Sequence, residues 1–595
     1  MKNKSFSIVA LLIVASMVLA ACGTTPAVET VIVEIGGETV VVTATPKTPY
    51  EPVVLNANLG AEPPTADPSL ATDTTSVEVD GQMFMGLTTI DQESSEVLPF
   101  LATDWSVSDD GLTWTFNMRS DVPWVQYNTS TAEVDLVYDA DGNQRFVNAY
   151  DVEYAVKRTI NPDTASDYSY VLYIIKNAQA VNEGDEGVTV DDIGVTAVDD
   201  VTVEFTLESP AGFFGAIASM WIASPMPQWT IEAAGDKWTE PGTIVTNGPY
   251  VMTEWVHGSE LNMKKNPYWP DADTVQIDEI HYVMIVEAST AFAMYENGEL
   301  DTVALPSPEV DRVKADPVLS AEYYQAPVAC TYYYGFVNNK APMDDVRVRK
   351  AFSMTVDKQS VIDNVLKGGQ LPAGFFAPPG IFGRPDDDLG IGLPYDIAAA
   401  NALLDEYLAE KGITREDLEV TLMHNTSEGH ANIAAAIQQM WLDNLGVQVS
   451  VENQEWGVYL DTVGNDTPIE EVPHVFRMGW CADYADENNW VYEVFNSDAG
   501  ANRLRRGCVD DVCKEVVLQE FDLITEQAKA EQDPDVRKEL YTEAERLLSE
   551  VEAAYIPIYF YTRMTMTKPY LTRYYPSVAT PAWYLWTIDP DARGY

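Results

Sequence analysis

The chain has 595 residues, with 35 Lys+Arg against 93 Asp+Glu and a formal net charge of −58. Readers of nucleic acid need a basic face, so this charge excludes binding to a phosphate backbone. Five cysteines exclude a dense disulfide scaffold and a Cys-rich zinc array, while 46% hydrophobic residues suit a globular body of roughly two to four domains.

Lys2 and Lys4 precede an apolar run over 8–21, which is short for a membrane span and reads as a secretory signal over 1–21. The run ends Leu19-Ala20-Ala21-Cys22-Gly23, which resembles a bacterial lipobox. That resemblance implies a lipidated Cys22 at the new N-terminus and a protein anchored outside the cytoplasm, because several acyl chains hold a membrane where one is marginal. Residues 22–52 carry a degenerate repeat, TVIVE and ETVVVTA, with almost no aromatics. The segment cannot build a core and reads as a flexible tether, with an edge strand of the body as the alternative. No later stretch approaches about 20 apolar residues, so no transmembrane helix is expected.

From residue 53 the patterns alternate. Strands are predicted over 53–58, 113–118, 201–207 and 448–452, and helices over 151–160, 344–366, 397–409, 432–445 and 534–551. Gly446 offers a helix stop after 445. The alternation predicts an α/β class. Asp139 to Asn143 has oxygen ligands at calcium-loop spacing but lacks the closing Glu, and a hairpin turn is the better reading. The five His (257, 281, 424, 430, 474) show no paired metal spacing, and neither a G-x-S-x-G elbow nor a phosphate-binding loop is present. No metal, cofactor or reaction is therefore expected. A cofactor-free secreted glycosidase, needing only two acids, is the enzyme alternative.

Beyond Cys22 stand Cys330, Cys481, Cys508 and Cys513 in an oxidising compartment, and four thiols allow three pairings. A clip between Cys508 and Cys513 would leave Cys330 to pair with Cys481. Free thiols or metal ligands are the alternative.

Several motifs then converge. They are Cys330-Thr-Tyr-Tyr-Tyr334, Asp345-Val-Arg-Val-Arg349, Asn453-Gln-Glu-Trp456, Gly479-Trp-Cys-Ala-Asp-Tyr484 and Ile556-Pro-Ile-Tyr-Phe-Tyr561. In this order the chain after residue 53 resembles the extracytoplasmic oligopeptide-binding proteins of ABC importers. The resemblance implies a two-lobed periplasmic-binding-protein-like fold of type II, with a third, inserted domain and a cleft that closes on ligand. Carried over, lobe one takes 53–88, 205–329 and 563–595, the inserted domain 89–204, and lobe two 330–562. The family's disulfide falls on Cys330 and Cys481.

A peptide offers a main chain, an ammonium and a carboxylate, and a buried ammonium needs an acid partner. The resemblance gives that role to Asp483. It places Trp480 and Trp456 as walls of side-chain pockets, Tyr561 and Tyr333 beside the main chain, and Arg477 and His430 at the carboxylate end. Two family acids are missing: Thr72, next to Asp73, and Gly335 stand in their places. The implied function is capture of oligopeptides by a monomeric receptor for delivery to an ABC permease and its ATPase subunits. An oligosaccharide receptor is the alternative within the same fold.

Overall fold

The 4-stranded sheet nearest the start of the body shows how local pattern becomes layer. In Val54–Asn58 Leu55 and Ala57 point inward, and the strand pairs parallel with Glu279–Val283. The order continues antiparallel through Glu260–Lys265 to Tyr250–Val256. A second antiparallel sheet runs Val195–Asp199, Thr202–Thr206, Thr113–Met118, Ala102–Val107. Its central strand buries Trp114, Phe116 and Met118 on one face, as period-2 alternation demands. The helix Ala149–Ile160 is closed by a capping box between Asn148 and Asp151. This computed structural model describes residues 30–35, 38–43, 51–465, 467–497, 502–507, 520–572, 574–578 and 580–593. The expected signal, Cys22 and the Cys508–Cys513 clip lie outside them. Thr30–Ile35 and Glu38–Thr43, the two halves of the degenerate repeat, pair antiparallel as a hairpin of their own.

The largest sheet has seven strands. Its order is Thr302–Ala304, Tyr555–Thr567, Tyr323–Phe336, Val475–Cys481, Val420–Asn425, Val449–Gln454, with Leu371–Pro372 beside Tyr555–Thr567. The last two strands pair parallel, and Glu428–Leu445 crosses between them. Ser427 caps that helix and Gly446, at φ +68°, ends it, as its sequence suggests. Ile433, Ile437, Trp441 and Leu445 form its buried stripe. The two long strands Tyr323–Phe336 and Tyr555–Thr567 pair over two stretches, with a register shift between Pro327 and Thr331. Tyr323 and Met566 at one end pack in a core with Phe292 and Tyr295, whereas Tyr332, Ile556 and Ile558 at the other pack with Phe352 and Trp441. One strand pair therefore passes through two cores.

The single helix expected over 344–366 is broken. Val346–Met354 stops where Thr355 turns its hydroxyl back onto Ala351 and Phe352 carbonyls, and Asp357 caps a new start at Lys358–Val361. Asp139 spends its carboxylate on the N–H groups of Asp141 and Asn143, forming the turn expected there. No described helix is long and apolar enough to cross a membrane. The body is thus of mixed helix and sheet, the α/β class that the alternation predicts.

Candidate functional site

A cavity of about 1380 Å³ opens within the body. Drug-sized ligands occupy roughly 300–1,000 Å³, so this space suits something longer. One wall comes from residues 59–100, 167–170 and 219–224, the other from 455–494 and Arg503, and the two long strands contribute Val328, Cys330, Tyr333, Tyr561 and Arg563. Six of the seven expected ligand contacts line it: Asp483, Trp480, Trp456, Tyr561, Tyr333 and Arg477.

The strand Val475–Cys481 is the platform. Cys330 and Cys481 face each other across its pairing with Tyr323–Phe336 and form a disulfide. The bond spans a sequence separation of 151 and fixes the strand just ahead of Asp483. By limiting the unfolded chain, such a bond is worth about 2–4 kcal/mol. Arg477 and Gly479 point to the same side, as alternate residues must. The Arg477 guanidinium donates to Tyr561 Oη and, at 3.3 Å, to Asn425 Oδ1, and lies 4.8 Å from the centre of the Tyr332 ring. It is buried and has no carboxylate partner among the described residues. A Cβ at position 479 would lie 3.2 Å from Tyr561 Oη and 3.4 Å from Arg477 Nη2, so glycine keeps that pair in place.

Asp483 follows the strand. Its Oδ2 accepts from Tyr168 Oη at 2.9 Å and from Asn489 Nδ2 at 2.9 Å, while its N–H donates to Asn489 Oδ1 at 3.0 Å. Oδ1 accepts no described hydrogen bond. Burial pushes the carboxyl up to about 6, against the pull of the Asn489 and Tyr168 bonds. Behind it, Asn489 also donates to Glu493 Oε2 at 2.8 Å, and burial pushes Glu493 up to about 8.

The aromatic walls reach across the cavity. Trp480 stacks on Tyr168 with centroids 6.3 Å apart, and its Nε1 donates to Asn489 Oδ1 at 3.3 Å. Trp456 opens the helix Trp456–Thr462, and its Nε1 donates to Asp73 Oδ1 at 3.1 Å. Tyr333 touches the cavity, but its ring is only 2% exposed and packs edge-on against Phe376 and Tyr555. His430 stands apart. It is not among the cavity residues, and its Nδ1 lies 3.4 Å from Tyr332 Oη. Burial first, then the nearby Arg477 charge, hold the imidazole well below its ordinary pKa, so it is neutral.

The two departures from the family pattern have different meanings. Thr72 lines the cavity, and the neighbouring Asp73 caps Thr74–Met83 through the N–H groups of Thr75 and Ser76. Gly335 faces the core: a Cβ there would meet Phe476 at 2.5 Å and Leu504 at 2.6 Å, leaving no room for an acid. Tyr168 and Asn489 escaped the sequence reading. The cluster Tyr168-Ser-Tyr170 is visible in the chain, but only the fold brings it to Asp483, 315 positions away.

Residues 96–502 match the family model for bacterial extracellular solute-binding proteins, family 5. The chain is 34% identical to the oligopeptide-binding protein OppA of Bacillus subtilis, over 94% of this chain and 95% of that one. It superposes on the murein tripeptide binding protein MppA of Escherichia coli with a TM-score of 0.79 at 29% identity, covering 91% of this chain and 99% of that one. On the unliganded open form of MppA the TM-score is 0.58, at 29% identity and 91% and 98% coverage. On Haemophilus influenzae OppA in complex with the peptide RPPGFSPFR it is 0.78, with 26% identity and 91% and 99% coverage. The fold and the cleft define a solute-binding receptor. The chain belongs to family 5 of the bacterial extracellular solute-binding proteins, a family of transport receptors and not of enzymes.

Proposed function

We propose that this protein is a lipid-anchored, extracytoplasmic receptor that captures oligopeptides and delivers them to an ABC permease and its ATPase subunits. The observation that carries the reading is the pair of uncommitted charges in one large cavity. Among the described residues Asp483 Oδ1 accepts no hydrogen bond, and Arg477 is a buried cation with no carboxylate partner. A zwitterionic chain supplies both partners, its ammonium to Asp483 and its carboxylate to Arg477. The relatives named for oligopeptides support the same ligand class.

On this reading lobe one comprises 53–88, 205–329 and 563–595, lobe two comprises 330–562, and 89–204 is the inserted domain. The strand pair through two cores supplies the hinge, and the register shift at Pro327–Thr331 lies where it would bend. The poorer match to the open form of MppA, with the Trp456–Asp73 and Tyr168–Asp483 bonds across the cleft, supports a closed arrangement. Trp480 and Trp456 wall the side-chain pockets, and Tyr561 positions Arg477. His430 acts through Tyr332. Cys22 carries the lipid, and the receptor works as a monomer.

Native mass spectrometry of the protein without its anchor, followed by denaturation, tests the proposal. Release of a ladder of short peptides is expected, together with loss of binding when the peptide is N-acetylated. Hexose-spaced masses, or equal affinity for free and acetylated peptides, would overturn it.

A further inference from the structure

We propose that Phe213 is the fixed half of a clasp that holds the cleft shut: the Tyr484 ring and the Arg537 guanidinium of the opposite lobe grip it, away from the cavity that takes the ligand. The inference rests on the lobes and the closure proposed above, and adds what keeps them together.

It starts from a side chain buried in the wrong core. Among the described residues, the buried members of the core around Phe116 and Phe214 come from 55–284 and 571–588, with Tyr484 as the exception. By sequence Tyr484 belongs to 330–562, the segment that builds the cores around Trp441 and Phe495. It is 1% exposed, and its ring lies face to face with Phe213, centroids 5.1 Å apart and planes 5° from parallel. The Arg537 guanidinium lies 5.5 Å from the centre of the same Phe213 ring. Each gripping group is held from behind by its own lobe. Tyr484 Oη donates to Glu493 Oε1 and accepts from Asn488 Nδ2 at 2.9 Å. Arg537 donates to both carboxylate oxygens of Asp486, at 2.7 and 2.8 Å. A further link crosses nearby, where Gln532 Nε2 donates to the Pro210 carbonyl at 3.2 Å.

These contacts border a separate cavity of about 400 Å³, lined by Phe213, Tyr484, Gln532 and Arg537 among others. None of the four lines the larger cavity, so a change at Phe213 acts on closure and not on ligand contacts. Ring stacking and a cation over a ring both work only at short range. Parting the lobes would break both and bare the Tyr484 ring to water, so the clasp favours the closed state. It is also tied to the site. Glu493, which takes the Tyr484 hydroxyl, accepts from Asn489 as well, and Asn489 donates to Asp483. The clasp and the amine partner therefore sit on one stretch of chain, and seating a ligand at Asp483 sets the clasp. A device that raises the closed population tightens every ligand by the same factor. It does so mainly by slowing release, since a ligand leaves through the open state.

Stopped-flow measurement of the binding and release of tri-alanine and tri-lysine by the unanchored protein tests this. F213L keeps the apolar bulk and loses the ring. It is expected to release both peptides about tenfold faster, by one common factor, with association within about twofold of the parent. F213Y restores the ring and should return release to within about twofold of the parent. A lowered Tm with unchanged release would reduce Phe213 to packing and overturn the clasp, as would a change confined to one peptide; either result leaves the peptide reading standing. Should F213L fail to fold, Q532A at the exposed rim decides: release about threefold faster supports the clasp, and an unchanged rate overturns it. Should neither peptide bind the parent, the peptide reading fails, and small-angle X-ray scattering of the unliganded proteins decides for the clasp alone. A larger radius of gyration in F213L than in the parent upholds it, and an equal one sinks it.

Discussion

Asp483 and Arg477 stand six positions apart on one stretch of chain, and the fold treats the two charges in opposite ways. Arg477 is surrounded by the hydroxyl of Tyr561, the ring of Tyr332 and the amide oxygen of Asn425. Its charge is permanent, so the cavity holds a fixed cation there. Asp483 is balanced. Burial favours its neutral form, while Tyr168 and Asn489 favour the carboxylate, and the outcome is a group that titrates at about 6. The difference teaches that, on the proposed reading, geometry at Arg477 and protonation at Asp483 are separate controls over one ligand.

The strongest way to break this contrast is to remove the acid. D483N should weaken binding of free-amine peptides by at least about 100-fold, since a buried ammonium then lacks its partner. N-acetylated peptides should bind the variant and the parent alike, and calorimetry with both ligands checks the pair. At the other end, G479A should cost about tenfold in affinity by pushing Tyr561 and Arg477 apart, with little change in Tm. G335A should do the reverse. Its Cβ meets Phe476 and Leu504, so stability falls by about 1–3 kcal/mol in urea unfolding, and affinity in the folded fraction holds.

A pH series sharpens the comparison. Free-amine affinity should be highest near pH 7, fall about tenfold per unit below about pH 6 as Asp483 takes up its proton, and fall again above about pH 8 as the peptide amine loses its own. D483N should flatten that profile. The unliganded protein should show the opposite sign. The folded pKa of Asp483 is raised, so its cost to stability shrinks as pH falls from about 6 towards the unfolded value near 4. Glu493, raised to about 8, adds the same sign from pH 8 downward. The smallest expected effect is Y168F. It removes one bond to Asp483 worth about 1 kcal/mol and moves the midpoint of the affinity profile upward.

Much of this was legible in the chain because it is carried by short, contiguous segments. The strand with Arg477, Gly479 and Trp480, followed by Asp483, is one motif, and its residues reach the cavity together. The helix from 428 announced its stop through Gly446. Side chains recruited from afar were not legible. Tyr168 and Asp73 meet partners 315 and 383 positions away, and no local pattern encodes such distances. His430 falls in the expected segment, where its Nδ1 lies 3.4 Å from Tyr332 Oη, and it is not among the residues lining the cavity. The break after Met354 escaped because the apolar spacing continues through it, whereas the capping bond of Asp357 is what restarts the helix.

The Asp483 carboxylate has one further consequence. Two protein donors meet at Oδ2 and leave a single oxygen for the guest. One N–H is enough to satisfy it, so under the proposed function the site asks for charge and does not count hydrogens. Chains that begin with proline, or whose terminal nitrogen carries one methyl group, keep both the charge and a donor, and should be carried as readily as ordinary ones.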